Sequence, residues 1–119
     1  MPVRVLHVDD DPGFAEMVAT FLERERDMSV QTATNAADGL DRLDEREFDC
    51  IVSGYEMPGQ NGIEFLEASR EAYPEMPFIL YTGKGSEKIA SEAISAGVTD
   101  YFRKSRGTEQ YTALADRIT

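Results

Sequence analysis

The sequence predicts an α/β protein in which a parallel sheet is covered by helices on both faces. Five short apolar segments alternate with five amphipathic segments along the chain. The apolar segments are nearly continuous, which is typical of strands buried on both faces. The chain has 119 residues, enough for one domain, spanning 1–119, with a hydrophobic core of its own.

The first strand and helix have clear signals. Residues 3–8 are largely apolar and rich in β-branched side chains, so they predict a buried strand. Asp11 is expected to cap a helix that begins at Pro12. Apolar residues follow at i, i+3, i+4, i+7 and i+8 spacing: Phe14, Met17, Val18, Phe21 and Leu22.

The next two strands flank a second helix. Residues 30–33 predict a short strand, and Asn35 is expected to cap a helix that carries Ala36, Leu40 and Leu43. Residues 48–53 predict the third strand. A loop rich in turn-forming residues follows at 54–62.

The second half of the chain alternates in the same way. Residues 63–72 predict a helix that stops before Pro74, and residues 77–81 predict the fourth strand. After a loop at 82–85, Ser86 is expected to cap a helix with the apolar residues Ile89, Ala90, Ala93 and Ile94. Gly97 should end this helix in a left-handed conformation.

The chain closes with a strand and a helix. Residues 98–102 predict the fifth strand, and residues 109–119 predict the last helix, with Tyr111, Leu114, Ala115 and Ile118 on its apolar face. This helix is short for its pattern, so we expect the chain to be a domain cut from a longer signalling protein.

Composition excludes several classes of protein. The 23 acidic residues outnumber the 12 basic ones and give a net charge of −11, which disfavours nucleic-acid binding. The acidic surface has two interpretations: an ordinary soluble, self-repelling surface, or adaptation to a high-salt, halophilic cytoplasm, where salt screens the repulsion. No apolar run reaches the roughly 18 residues of a membrane span. The single cysteine, Cys50, is expected to pack as a small hydrophobe in a reducing, cytoplasmic setting.

Polar residues follow the predicted strands at the edge where parallel sheets carry their sites. They are Asp9, Asp10, Thr82 and Lys104. Two carboxylates, a hydroxyl and a lysine together suit a metal-bound phosphoryl group. Taken alone, each of these residues is also explained by a simpler role as a turn, helix-cap or surface residue. Their joint placement favours a site.

The chain resembles the response-regulator receiver family of two-component signalling over nearly its whole length. The matching segments are VLHVDDDP at 5–12, FDCIVS at 48–53, MPGQNG at 57–62, YTG at 81–83, AGVTDY at 96–101 and Lys104. The resemblance implies a flavodoxin-like, doubly wound, five-stranded parallel sheet in the order 2-1-3-4-5 with five helices. It also implies a signalling module, not an enzyme, whose partner is a histidine kinase or another signalling domain.

The resemblance also implies roles for individual residues. Asp9 and Asp10 match the acidic pair that holds magnesium, with Asp10 as the direct ligand. Glu56 lies where the family uses a backbone carbonyl as a metal ligand. Of the other matching residues, Thr82 corresponds to the switch hydroxyl, Tyr101 to the aromatic that moves with it, and Lys104 to the lysine that pairs with phosphoryl oxygens.

One departure from the family pattern bears directly on function. The family places an aspartate four residues before the loop proline, here Pro58, and this sequence has Gly54 at that place. Glycine cannot form an acyl phosphate and offers no metal ligand, so we expect weakened magnesium binding. Ser105 is a smaller departure, because the family usually has proline after the lysine.

Three functional hypotheses follow. The leading one is a receiver that lacks its phosphoacceptor and acts through protein–protein contacts. The second is an ordinary phosphoaccepting regulator whose aspartate was replaced at position 54. The third is an unrelated flavodoxin-like binding protein, such as a flavin-binding one, or a small enzyme. It is disfavoured because the first strand is followed by no Ser/Thr/Gly-rich phosphate loop but by three aspartates, which would repel a phosphate.

Overall fold

The computed structural model describes residues 2–83 and 85–119. Met1 and Lys84, which belongs to the predicted loop 82–85, lie outside the described residues. Strands and helices alternate strictly, as the sequence predicts. The strands are β1 Val3–Val8, β2 Met28–Ala33, β3 Cys50–Ser53, β4 Phe78–Thr82 and β5 Asp100–Arg103. The helices are α1 Pro12–Glu25, α2 Ala36–Glu45, α3 Gly62–Ala72, α4 Glu87–Ser95 and α5 Glu109–Ile118.

All strand pairs are parallel, and the sheet order is β2-β1-β3-β4-β5. This confirms the predicted doubly wound α/β fold. Alternate residues of each strand face opposite sides of the sheet and enter two separate cores. One core packs under α2, α3 and α4 and includes Leu6, Ile51 and Phe65. The other packs under α1 and α5 and includes Val18 and Leu114.

Helix caps agree with the sequence. The side chains of Asp11, Asn35 and Ser86 each accept a backbone N–H in the first turn of their helix. Gly97 has φ of +90° after α4, the left-handed conformation expected of it. In α3 the cap is Asn61, which forms a capping box with Glu64, so the helix begins one residue before the predicted position.

Strand boundaries differ from the predicted ones by one or two residues, and β5 shows the reason. Val98 donates its N–H to Ala93 O at the end of α4. The Thr99 hydroxyl accepts the N–H of Phe78, at 2.9 Å. Val98 is thus bonded to α4 and not to β4, whereas Thr99 bonds Phe78 through both its N–H and its hydroxyl, and β5 starts at Asp100 and not at residue 98.

Two apolar residues lie outside the core, contrary to the helical spacing that the sequence suggests. Met17 is 49% exposed and Ile94 is 71% exposed. The buried stripe of α1 runs along Ala15, Val18 and Leu22, so Met17 is one step around the helix from it. Cys50, by contrast, is buried as expected, and burial raises the pKa of its thiol to about 12. Among the described helices, none is both long and apolar enough to cross a bilayer.

Candidate functional site

The carboxyl ends of four strands meet at one edge of the sheet. Backbone hydrogen bonds continue the ladder just beyond the strands and align the residues there. Gly54 N donates to Val8 O at 2.8 Å, and Lys104 N donates to Thr82 O at 2.9 Å. Residues that are far apart in the chain are therefore fixed side by side.

A cavity of about 130 Å³ opens at this edge. Its lining contains every site residue that the sequence singles out, except Tyr101. The lining residues are Asp9, Asp10, Gly54, Tyr55, Glu56, Thr82, Gly83 and Lys104. Larger cavities lie elsewhere, but they are lined by residues of the opposite end of the sheet or of the α3–α4 surface.

Asp9 and Lys104 form an ion pair within the cavity. Asp9 is 1% exposed, and its Oδ2 lies 2.8 Å from Lys104 Nζ. Its other oxygen, Oδ1, accepts the N–H of Asp11 at 2.9 Å. The Lys104 ammonium also lies 4.2 Å from the centroid of the Phe14 ring, within cation–π distance. Both oxygens of Asp9 thus already have a cationic or N–H partner.

Asp10 is an exposed carboxylate of the site, as is Glu56. Partial burial raises the pKa of Asp10, and the neighbouring negative charge of Asp9 adds to the effect. Its carboxyl group therefore holds a proton more readily than an isolated aspartate does.

The side chains fit a magnesium ion poorly. The described residues contain no group of three His, Cys, Asp or Glu side chains placed to hold a metal. Asp9 is paired with Lys104, and Gly54 brings no oxygen on a side chain. The remaining carboxylates near the opening are those of Asp10 and Glu56.

Gly54 and Gly62 differ in what their missing side chains would meet. A Cβ on Gly54 would lie 3.5 Å from Asp9 Oδ2 and 3.8 Å from Val8 O, which are ordinary contacts. A Cβ on Gly62 would lie 2.3 Å from Gly54 O, which no side chain tolerates. Gly62 is therefore required by close backbone approach, whereas position 54 has room for a side chain.

Neighbouring side chains do not fill the space at Gly54. The Ser53 hydroxyl is buried and donates to Gly54 O at 2.9 Å, on the opposite face of the sheet, as alternation predicts. Asp49 lies at the other end of β3 and accepts the N–H of Arg4. Tyr101 packs inward against the core under α4, and its buried hydroxyl has no hydrogen-bond partner among the described residues.

His7 is a site neighbour that sequence reasoning missed. It is 1% exposed, and its Nε2 lies 3.9 Å from Asp9 Oδ2. Burial lowers its pKa to about 4, outweighing the attraction of Asp9, so the imidazole is neutral near pH 7. Period-2 alternation from Asp9 back to His7 was the signal that places both on one face of the sheet.

Comparisons with known proteins identify the family to which this fold and sequence are similar. The family described as Response regulator receiver domain matches residues 5–116. The transcriptional regulatory protein FixJ of Bradyrhizobium diazoefficiens is 30% identical over 92% of this chain and 53% of its own length. The transcriptional regulatory protein GlrR of Escherichia coli is 33% identical over 98% of this chain and 26% of its own.

Solved structures give the same result. The chemotaxis response regulator CheY4 of Vibrio cholerae superposes with a TM-score of 0.89 and 27% identity, and the match covers all of both chains. The present chain thus spans about half of FixJ and about a quarter of GlrR, but the full length of CheY4.

Proposed function

The chain belongs to the response regulator receiver domain family, and from that premise we propose that it is a two-component receiver module that signals without accepting a phosphoryl group. The observation that carries the proposal is the site itself. Gly54 lies at the cavity where the resemblance expects the phosphoacceptor, and it offers no nucleophile. Lys104, which would pair with phosphoryl oxygens, is bound to Asp9.

The proposed module rests in one conformation and acts through protein–protein contacts. The Asp9–Lys104 pair and the inward Tyr101 support a single resting state. The contact surface would be formed by α4, β5 and α5, the family's usual output surface, with Ile89, Ala90, Tyr101 and Lys104. Ala93, which the sequence also suggests for this surface, is 0% exposed and packs in the core instead. The partner would be a histidine kinase or another signalling domain.

Magnesium would bind weakly in this proposal. Asp10 and the residue 56 position would supply ligands, with Thr82 as the switch hydroxyl. A bound magnesium ion would supply charge neutralisation for an incoming phosphoryl group. The ion pair of Asp9 with Lys104 and the absence of a carboxylate at residue 54 support low affinity.

Phosphorylation by acetyl phosphate tests the proposal. The chain would be incubated with acetyl phosphate and magnesium, and its intact mass would be measured. We expect no phosphoryl adduct on the natural chain and one on the Gly54→Asp variant. A stable adduct of one phosphoryl group on the natural chain would refute the proposal.

The ordinary phosphoaccepting regulator is the second candidate, and the open space at Gly54 favours it. A Cβ there makes only ordinary contacts, so position 54 has room for the first side-chain atom of an aspartate. If Gly54→Asp gains the phosphoryl group rapidly, the rest of the pocket has kept the family's chemistry. If it gains none, the pocket has diverged beyond this one position.

A further inference from the structure

Gln110 is a buried polar residue that sits close to the candidate site. It is the second residue of α5 and is 6% exposed. Its Oε1 accepts the hydroxyl of Tyr81 and, at 3.1 Å, the N–H of Ser105. Its Nε2 donates to Ser105 O and, at 3.0 Å, to Gly107 O. The amide therefore has two hydrogen-bond partners on each side, which is the full capacity of its NH₂ group.

The orientation of this amide is determined by its partners. The Ser105 N–H can only donate, and the carbonyls of Ser105 and Gly107 can only accept. Reversing the amide would bring donor against donor and acceptor against acceptor. Tyr81, whose hydroxyl can do either, is consequently the donor to Oε1.

The loop that Gln110 holds begins directly after Lys104. The N-cap residue of α5, Thr108, makes no side-chain capping bond, so the start of α5 lacks the usual support. The Gln110 amide instead binds the loop backbone at both Ser105 and Gly107. The segment between β5 and α5 is thus tied to a buried side chain.

Aromatic rings form a second set of contacts between Gln110 and Lys104. Tyr81, which binds Gln110, packs against Phe14 with ring centroids 5.8 Å apart. The Lys104 ammonium lies 4.2 Å from the Phe14 centroid and 5.9 Å from that of Tyr81. The backbone that directly follows Lys104 and the Tyr81 ring near its ammonium therefore both contact one amide.

We infer that Gln110 is a positioning residue: it fixes the β5–α5 loop and the Tyr81 ring, and thereby holds the Lys104 ammonium over Phe14 and against Asp9. Ser105 takes part through both its N–H and its carbonyl, and a proline at this position would remove the N–H bond of the network. The inference rests on the proposed role of Lys104 in the pocket. It concerns how the lysine is placed, not whether residue 54 accepts a phosphoryl group.

Lysine NMR can follow the position of Lys104 directly. The chain has three lysines, so ¹³C labelling of the lysine ε-carbons gives a simple spectrum, and Lys104→Met assigns the resonance. Because the ammonium lies over the Phe14 ring, the ε-CH₂ protons should be shifted upfield by the ring current. The upfield shift reports the lysine's placement without a phosphoryl donor, metal or partner.

Two variants of Gln110 test the inference. Gln110→Met keeps the length of the side chain and loses all its hydrogen bonds, so the upfield shift should fall to less than half. Gln110→Glu keeps the acceptor for Tyr81 and Ser105 and loses the donors, so it should retain an intermediate shift. Should Gln110→Met fail to fold, the test uses Gln110→Glu together with Tyr81→Phe, which removes the hydroxyl donor to Gln110 Oε1 and should also decrease the upfield shift.

Arg70→Met is the matched control. Arg70 also binds several backbone and side-chain acceptors, Gly97 O, Met76 O and the Thr99 hydroxyl, but on the loops before β4 and β5. The Arg70→Met variant should have a lower free energy of unfolding and an unchanged Lys104 resonance. If the folded Gln110 variants keep the natural upfield shift, Gln110 has only a structural role and the inference fails. Because no phosphoryl donor is used, that failure is separate from failure of the proposed function.

Discussion

Replacing Gly54 with aspartate would test how the charges of the pocket are balanced. The described glycines with positive φ are Gly59, Gly97 and Gly107, so the backbone at Gly54 accepts an L-residue. The new Cβ would lie 3.5 Å from Asp9 Oδ2, an ordinary contact. By restricting the unfolded chain, the substitution alone should stabilise by about 0.4–1 kcal/mol.

The new charge acts in the opposite direction. Two carboxylates about 4–5 Å apart repel by about 3–4 kcal/mol at an effective dielectric constant near 20. Lys104 attracts the new group about as strongly as Asp9 repels it, so the uncompensated repulsion is that of the exposed Asp10, which solvent screening reduces to about 1–2 kcal/mol. We therefore expect the free energy of unfolding of metal-free Gly54→Asp to be about 1 kcal/mol below that of the natural chain.

Magnesium should reverse this loss in the variant. A ligand that binds only the folded state, at ten times its Kd, adds about 1.4 kcal/mol. For a domain of this size that is an increase in Tm of about 4–8 °C. Thermal unfolding followed by circular dichroism, with potassium chloride at matched ionic strength as the salt control, measures it.

Gly54→Asn is the matched variant, because it has the same shape and no charge. The natural chain and Gly54→Asn should both respond to magnesium much less than Gly54→Asp. If all three gain the same Tm, the missing carboxylate at residue 54 does not limit metal binding and the reasoning is wrong.

Three further predictions concern buried groups. For His7 the folded pKa is about 4 and the unfolded value about 6.5, so below pH 6.5 the unfolded state binds the extra proton. In chelator-treated buffer, the free energy of unfolding should fall by about 3 kcal/mol as the pH drops from 6.5 to about 4. His7→Leu should flatten this part of the plot of stability against pH. Equal slopes for the two proteins would contradict the lowered pKa of His7. Tyr101→Phe removes a buried hydroxyl without a described partner, so the free energy of unfolding should stay equal or rise by about 1 kcal/mol. In urea titrations, a clear loss would mean that the hydroxyl is bonded. Cys50, buried and with its thiol pKa raised to about 12, should react with a thiol reagent only after unfolding; rapid reaction of the native chain would contradict its burial.

Local signals predicted most of the fold. The caps at Asp11, Asn35 and Ser86 and the left-handed Gly97 depend on a few adjacent residues, so the sequence is sufficient to identify them. The meeting of Asp9, Thr82 and Lys104 at one edge follows from parallel strands ending together.

Other features depend on contacts that the local sequence does not contain. Gln110 lies in a polar stretch and looks exposed, but Tyr81, 29 residues away, buries it. The start of β5 depends on Thr99 binding Phe78. The pairing of Lys104 with Asp9 was also missed, because the resemblance directs the lysine to phosphoryl oxygens and not to a carboxylate of the chain.

The Asp9–Lys104 pair has a consequence for any anion that enters the cavity. The two residues are 95 positions apart in the chain, yet the sheet holds their charged atoms 2.8 Å apart. The Asp9 carboxylate therefore has a high effective concentration at the lysine. To replace this carboxylate, a dissolved anion at cellular levels would have to exceed that concentration. Free phosphate or sulfate should compete poorly here, and only an anion delivered on a docked partner would have a comparable advantage.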